Sequence, residues 1–154
     1  MKIVNFSVSD LDELMLFLDK NLTENYDKDV FPKIHKKWPE GFLLVKEKDK
    51  IIGVGTGAIL PNEKLRILII AVNKEHQGKG IGKDLIHRMI ESSKLFKIKK
   101  ITLEVRVDSD AVKFYQKMGF SKVDLLPCYY QDGCDGIVME KLINNNLKSR
   151  QIFL

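Results

Sequence analysis

The sequence predicts an α/β fold, a mixed and mostly antiparallel twisted sheet with one parallel strand pair, flanked by helices on both faces. Three observations predict it. Segments alternating apolar and polar residues recur along the chain, separated by segments whose apolar residues fall three and four apart. Short polar turns such as Lys48-Asp49-Lys50 join neighbouring strand segments, as antiparallel hairpins require. One glycine-rich turn links a strand to a helix and on to another strand, which implies a right-handed parallel crossover.

The elements follow in order. Lys2 to Val8 alternates, with Ile3 out of phase with Val4, Phe6 and Val8, and reads as a strand. Ser9 or Asp10 is placed to cap a helix from Leu11 to about Asn21, with Asp12 and Glu13 in its first turn. Leu11, Leu14, Leu18 and Leu22 share one face of it. Thr23 to Asp29 is a polar loop, and a second short helix runs from about Val30 to Lys37, interrupted near its start by Pro32. Trp38 reads as a packing anchor, and Pro39, Glu40 and Gly41 break the chain. Phe42 to Lys46 and Ile51 to Ile59 read as strands. Gly53, Gly55 and Gly57 leave one face of the latter bare, as if something packs close to it.

Leu65 to Val72 is apolar after Arg66 and reads as a strand buried on both faces. A helix starts near Ile81, with Ile81, Leu85, Met89 and Ile90 as its inner stripe. Lys100 to Val107 is a strand, Ser109 to Met118 a short helix stopped at Gly119, and Phe120 to Leu126 and Ile137 to Leu142 the last strands. Residues 1–143 are expected to form one domain and 144–154 a frayed tail.

Bulk properties exclude some classes. A chain of 154 residues suits one domain, and 44% apolar residues suffice for a core. No apolar run approaches the roughly 20 residues of a membrane span, and the N-terminus has no signal-peptide core, so a cytoplasmic location is expected. The net charge of +5 attracts polyanions, either nucleic acid or a phosphate-rich cofactor. No nucleic-acid motif is present, and the lysines Lys94, Lys97, Lys99 and Lys100 read as a solvated surface. Cys128 and Cys134 lack a second pair, and His35, His76 and His87 lack metal-ligand spacing, so no metal site is expected.

The turn Gln77-Gly78-Lys79-Gly80-Ile81-Gly82-Lys83 carries the chemistry. Its glycines allow positive φ, so successive amides can point into one concavity at the positive end of a helix dipole. That is an anion site suited to a diphosphate, with Lys79 and Lys83 adding charge and His76 adjoining it. It is no P-loop, because Asp84 follows Lys83 where a metal-binding hydroxyl is needed. It is no dinucleotide fingerprint, because Gly82 comes one residue early. A coenzyme A diphosphate loop and a ligand-free strand-to-helix turn both remain open on these residues alone.

The neighbours add a resemblance. Gln77, Gly80 and Gly82 match the Arg/Gln-x-x-Gly-x-Gly/Ala motif of GNAT acetyltransferases, and Phe114-Tyr115-Gln116-Lys117-Met118-Gly119-Phe120 resembles the family's second motif. Leu22-Thr23-Glu24-Asn25-Tyr26, Leu103-Glu104-Val105-Arg106 and Tyr129-Tyr130-Gln131-Asp132-Gly133 are similar to segments of protein N-terminal acetyltransferases, including the ribosomal-protein alanine and archaeal Nα enzymes. The resemblance implies the GNAT fold and acetyl-coenzyme A as acetyl donor. It implies cofactor contacts from Ile70, Ala71 and Val72, whose backbone would pair with the pantetheine arm. Gln77, Gly78, Lys79, Gly80, Ile81, Gly82 and Lys83 would hold the diphosphate. Asp108 stands near the cofactor, where the family often has asparagine, and Thr23 replaces a usual proline. The stretch from Glu104 to Tyr115 is one residue shorter than in the bacterial members. Glu24, Tyr26, Tyr129 and Tyr130 would grip a protein or peptide N-terminus.

An amine attacks a thioester only when neutral. An α-amino group, with pKa about 7.7–8.0, is partly neutral near pH 7, whereas a lysine side chain at about 10.4 is not. Glu104 and Glu24 are the candidate bases. Glu104 shares a strand face with Thr102 and Arg106, so an ion pair with Arg106 or another cation competes with that role. Tyr115 is the candidate acid for the leaving thiolate, and a backbone N–H near Val72 the candidate oxyanion donor. Two rival readings stand beside this one. The first is a small-molecule amine acetyltransferase acting on polyamine-like substrates, for which Asp132 and Asp135 would supply an acidic cleft. The second is a non-catalytic module binding coenzyme A or nucleic acid.

Overall fold

The computed structural model describes residues 1–143; the expected tail at 144–154 lies outside them. The elements are β1 (Lys2–Asn5), α1 (Leu11–Asn21), α2 (Val30–Lys37), β2 (Phe42–Glu47), β3 (Lys50–Leu60), β4 (Lys64–Val72), α3 (Ile81–Ser93), β5 (Lys100–Arg106), α4 (Ala111–Lys117), β6 (Ser121–Leu126) and β7 (Gly136–Leu142). The strands form a mixed sheet in the order β1-β2-β3-β4-β5-β7-β6. The β4–β5 pair is parallel, whereas β1–β2, β2–β3, β5–β7 and β6–β7 are antiparallel. The order of elements and the single parallel pair are those the sequence predicts.

The chain divides into two compact units, one of Met1–Ala58 with Ile67–Lys94, the other of Ile59–Arg66 with the described residues from Leu95 onward. In the first, Leu14, Phe17 and Leu18 of α1 and Phe31 of α2 pack against Phe42, Leu44, Val54, Ile69 and Ala71 of the strands. Burying each such side chain contributes about 1.5–3 kcal/mol. Alternation puts Gly55 on the opposite face from Val54. A Cβ there would lie 3.3 Å from Leu85 of α3, so the bare strand face is a socket for that helix, and helices cover both faces of this unit. At Gly41 a Cβ would fall 2.0 Å from the Trp38 ring, so the buried indole requires glycine there.

Several local expectations need correction. β1 stops at Asn5 because Phe6 turns into the core and Ser7 opens a tight turn. Neither Ser9 nor Asp10 caps α1 with its side chain. The Asp10 carboxylate instead accepts the Ser7 N–H at 2.9 Å and binds Lys46 at 2.7 Å. Pro32 does not interrupt α2; it sits in the first turn, where the missing N–H has no intrahelical partner to lose. β4 is not buried on both faces: Leu65, Ile67, Ile69 and Ala71 are buried, while Arg66, Leu68, Ile70 and Val72 are half-buried.

In the second unit, Ile101, Leu103 and Val105 of β5 are buried with Ile137 and Met139 of β7 and Val112 and Tyr115 of α4. Phe120 belongs to the turn after α4 rather than to β6, its N–H donating to the Tyr115 carbonyl at 3.0 Å. Lys141 of β7 donates to the Met118 carbonyl at 2.7 Å, placing a cation at the C-terminal end of α4.

Candidate active site

The glycine turn is built in the first unit. Gly78 and Gly80 adopt φ of 79° and 84°, the left-handed region that side chains resist, and a Cβ at either would meet nothing within 4 Å. The turn therefore needs glycine for its conformation and opens onto free space. Gly80 is the residue before α3, so the first-turn amides of a 13-residue helix follow directly. Lys79 and Lys83 are exposed around it.

The approach to the turn is fastened at several points. The Asn73 N–H donates to Ile52 O at 2.9 Å, and the Gln77 carboxamide donates to Val72 O at 2.9 Å. His76 is held between Asn73 and Glu47, its Nε2 lying 2.6 Å from the carboxylate. That hydrogen bond holds the Glu47 carboxyl below its usual range. Thus the Gln77 side chain, expected to help hold the diphosphate, and His76, which adjoins the loop, both bond to the protein itself.

Glu24 and Tyr26 lie in the loop after α1. The Thr23 hydroxyl donates to Glu24 at 3.1 Å. Tyr26 packs on the core 6.0 Å from Phe31, and burial, followed by the charge of Glu24, raises its phenol.

The second unit gathers the other candidates. Tyr115 is 7% exposed, its ring edge-on to Phe120 at 5.5 Å and tilted against Phe114 at 5.1 Å. Burial first, and then proximity to Tyr130, pushes its phenol above the ordinary value, so it stays protonated at neutral pH. Tyr129 and Tyr130 meet edge to face at 5.1 Å in the loop between β6 and β7. Gly136 admits this packing: a Cβ there would lie 3.1 Å from the Tyr129 ring.

Glu104 does share a face with Thr102 and Arg106, all half-buried on β5. Its ionic partner is another cation than Arg106, the Arg66 guanidinium of β4. The guanidinium reaches both oxygens, with Nη2 to Oε1 at 2.9 Å and Nε to Oε2 at 3.2 Å. Arg66 was visible as the lone charge before an apolar run, but the register that lays it beside Thr102 was not. Arg106 turns instead to Asp108 and Asp132, and both carboxyls lie below their usual range because of its hydrogen bonds. Asp108, unexplained as an anion beside an anionic cofactor, thus has its countercharge two residues away. Asp135 accepts the Cys128 N–H at 2.8 Å.

A model described as the acetyltransferase (GNAT) family matches residues 10–120. The chain belongs to that family. This GNAT chain is 30% identical over 141 residues to N-alpha-acetyltransferase 30 of Schizosaccharomyces pombe, covering 86% of this chain and 92% of that one. It is 28% identical over 151 residues to an N-alpha-acetyltransferase of Sulfurisphaera tokodaii, covering 90% of each. Among solved structures, Ard1 from Thermoplasma volcanium superposes with a TM-score of 0.87 at 28% identity, covering 94% of this chain and 98% of that one. Among the described residues, no helix of this GNAT chain is long and apolar enough to cross a membrane.

Proposed function

We propose that this chain transfers an acetyl group from acetyl-coenzyme A to a primary amine, the N-terminal α-amino group of a protein or peptide. The observation that carries the reading is the glycine turn: two left-handed glycines open on free space at the start of α3, in a chain of the GNAT family. Amides of residues 78–83 suit a diphosphate, with Lys79 and Lys83 supplying countercharge. The choice of an α-amine follows the names of the relatives, and it fits the ease of deprotonating such an amine near pH 7.

Bound acetyl-coenzyme A supplies the acetyl thioester. Glu104, paired with Arg66, and Glu24 are the carboxylates proposed to take the proton of the attacking amine, directly or through one water. Tyr115, kept neutral by burial, donates to the departing sulfur. Glu104→Gln and Glu24→Gln separate the two bases. The variant that loses turnover while keeping acetyl-coenzyme A affinity identifies the group in use.

The polyamine-like reading required free acidic groups near the tyrosines. Asp132 is paired with Arg106 at 2.6 Å, which offsets one of the two acidic charges that reading draws on. The deciding experiment incubates the chain with acetyl-coenzyme A and short peptides, following thiol release and locating the acetyl group by mass spectrometry. N-terminal acetylation is expected. Modification of lysine ε-amines or polyamines alone, or no thiol release, would overturn the reading.

A further inference from the structure

We propose that Arg106 is a positioning residue for the acceptor side of the reaction: it fixes the loop of residues 127–135 to the end of β5 and so sets the position of Tyr130. The inference rests on the proposed function, in which Tyr130 meets the substrate.

Arg106 is the last residue of β5, and its side chain works in two directions. The edge of the guanidinium is a fork on Asp132, with Nη2 to Oδ2 at 2.6 Å and Nη1 to Oδ1 at 3.2 Å. The adjoining edge of the guanidinium reaches Asp108 through Nε at 3.1 Å. The face of the guanidinium lies over the Tyr130 ring, 5.1 Å from its centroid. Only a planar, delocalised cation can stack on a ring while bonding carboxylates in its own plane; a lysine ammonium cannot.

The loop relays this grip. Asp132 Oδ1 also accepts the Cys134 N–H at 3.0 Å, and the Cys134 carbonyl accepts the Tyr130 N–H at 3.1 Å. The Gly133 N–H closes back on the Tyr130 carbonyl at 2.9 Å. Tyr130 is thereby held at its main chain through Asp132 and at its ring by Arg106 directly.

Charge sharpens the argument. Asp108 and Asp132 share one guanidinium, so its loss would leave two neighbouring carboxylates uncompensated and drive the loop off the strand. An exposed ion pair alone would change binding by a few-fold at most. A positioning role predicts more, and predicts it selectively. In Arg106→Met the KM for a peptide substrate should rise about tenfold or more while kcat falls less, because acceptor binding is what is lost. The Kd for acetyl-coenzyme A, measured by calorimetry, should stay within about twofold, since the role assigned to Arg106 is on the acceptor side. Arg106→Lys should recover only part of the loss.

A second measurement is independent of activity. With 3-fluorotyrosine incorporated, the ¹⁹F resonance assigned to Tyr130 by its absence in Tyr130→Phe should move in Arg106→Met, while that of Tyr26 stays. A peptide KM within about twofold of wild type in Arg106→Met, an unmoved Tyr130 resonance, or a parallel loss of acetyl-coenzyme A affinity overturns the inference. If Arg106→Met does not fold, Arg106→Lys and Asp132→Asn carry the test, and wild-type KM in both overturns it. If the wild-type chain acetylates no peptide, the proposed function falls instead, and the ¹⁹F shift still decides whether Arg106 holds Tyr130.

Discussion

Residues 73–83 and residues 127–136 are both connections between elements, and both carry proposed binding groups, yet they are shaped by different forces. The first takes its shape from main chain: left-handed glycines, amide-to-carbonyl bonds and one carboxamide clip. The second takes its shape from an arginine fork, two aspartates, an edge-to-face tyrosine pair and a guanidinium over one of its rings. A main-chain site reads what is constant in its ligand, here the diphosphate proposed for it. A side-chain site is revised by single substitutions, and so suits the variable partner, the acceptor. The glycine turn should therefore be intolerant of change for conformational reasons and the tyrosine loop for electrostatic ones.

The largest expected effect breaks the first region outright. Gly80→Glu places bulk and negative charge where a Cβ now meets open space, and calorimetry should detect no acetyl-coenzyme A binding. Tyr115→Phe comes next, since positioned general acids contribute about 10²–10⁴-fold. A loss of kcat near the lower end of that range is expected, with cofactor affinity unchanged; equal turnover would remove Tyr115 from the acid role.

The same residue sets a pH signature. A phenol raised by burial keeps its proton through and beyond pH 10, so kcat should show no falling limb below about pH 10. A fall centred near pH 8–9 in the wild type would contradict donation by Tyr115.

Gly80→Ala sharpens the comparison by testing conformation without charge. Forcing a side chain into the left-handed region costs about 1–2 kcal/mol, or roughly tenfold in acetyl-coenzyme A affinity if the strain falls on the binding conformation. The smallest effect is expected at Lys141→Met, which removes the cation from the end of α4. A loss of about 1 kcal/mol should lower Tm by roughly 2–4 °C, read by thermal unfolding.

The two regions also differ in how far the sequence exposes them. The glycine turn is local, so the spacing of Gly78, Gly80 and Gly82 and the following apolar stripe display it directly. The element order is legible for the same reason: Gly55, Gly119 and the turn at Lys48-Asp49-Lys50 each act within a few residues. The ion pairs are not legible. Arg66 and Glu104 lie 38 positions apart and meet only because β4 and β5 run parallel in a register that lays Arg66 beside Thr102. Arg106 and Asp132 lie 26 apart and meet through the β6–β7 hairpin. Period-two alternation identifies the face a charge occupies but not the neighbour it will choose, so Glu104 had Arg106 as its nearest candidate and took Arg66. The half-burial of one face of β4 is not legible either, because an unbroken apolar run looks the same whether its second face is covered fully or by half.

One consequence of the Gln77 clip concerns thermodynamics. With its carboxamide on the Val72 carbonyl and His76 braced by Glu47, the segment entering the turn has few alternative shapes to surrender when a ligand arrives. Association should then carry little ordering penalty, leaving the gain from new contacts largely intact. Severing that single amide-to-carbonyl link would leave every ligand contact chemically possible and still weaken the complex, purely by multiplying the conformations from which the free protein must be recruited.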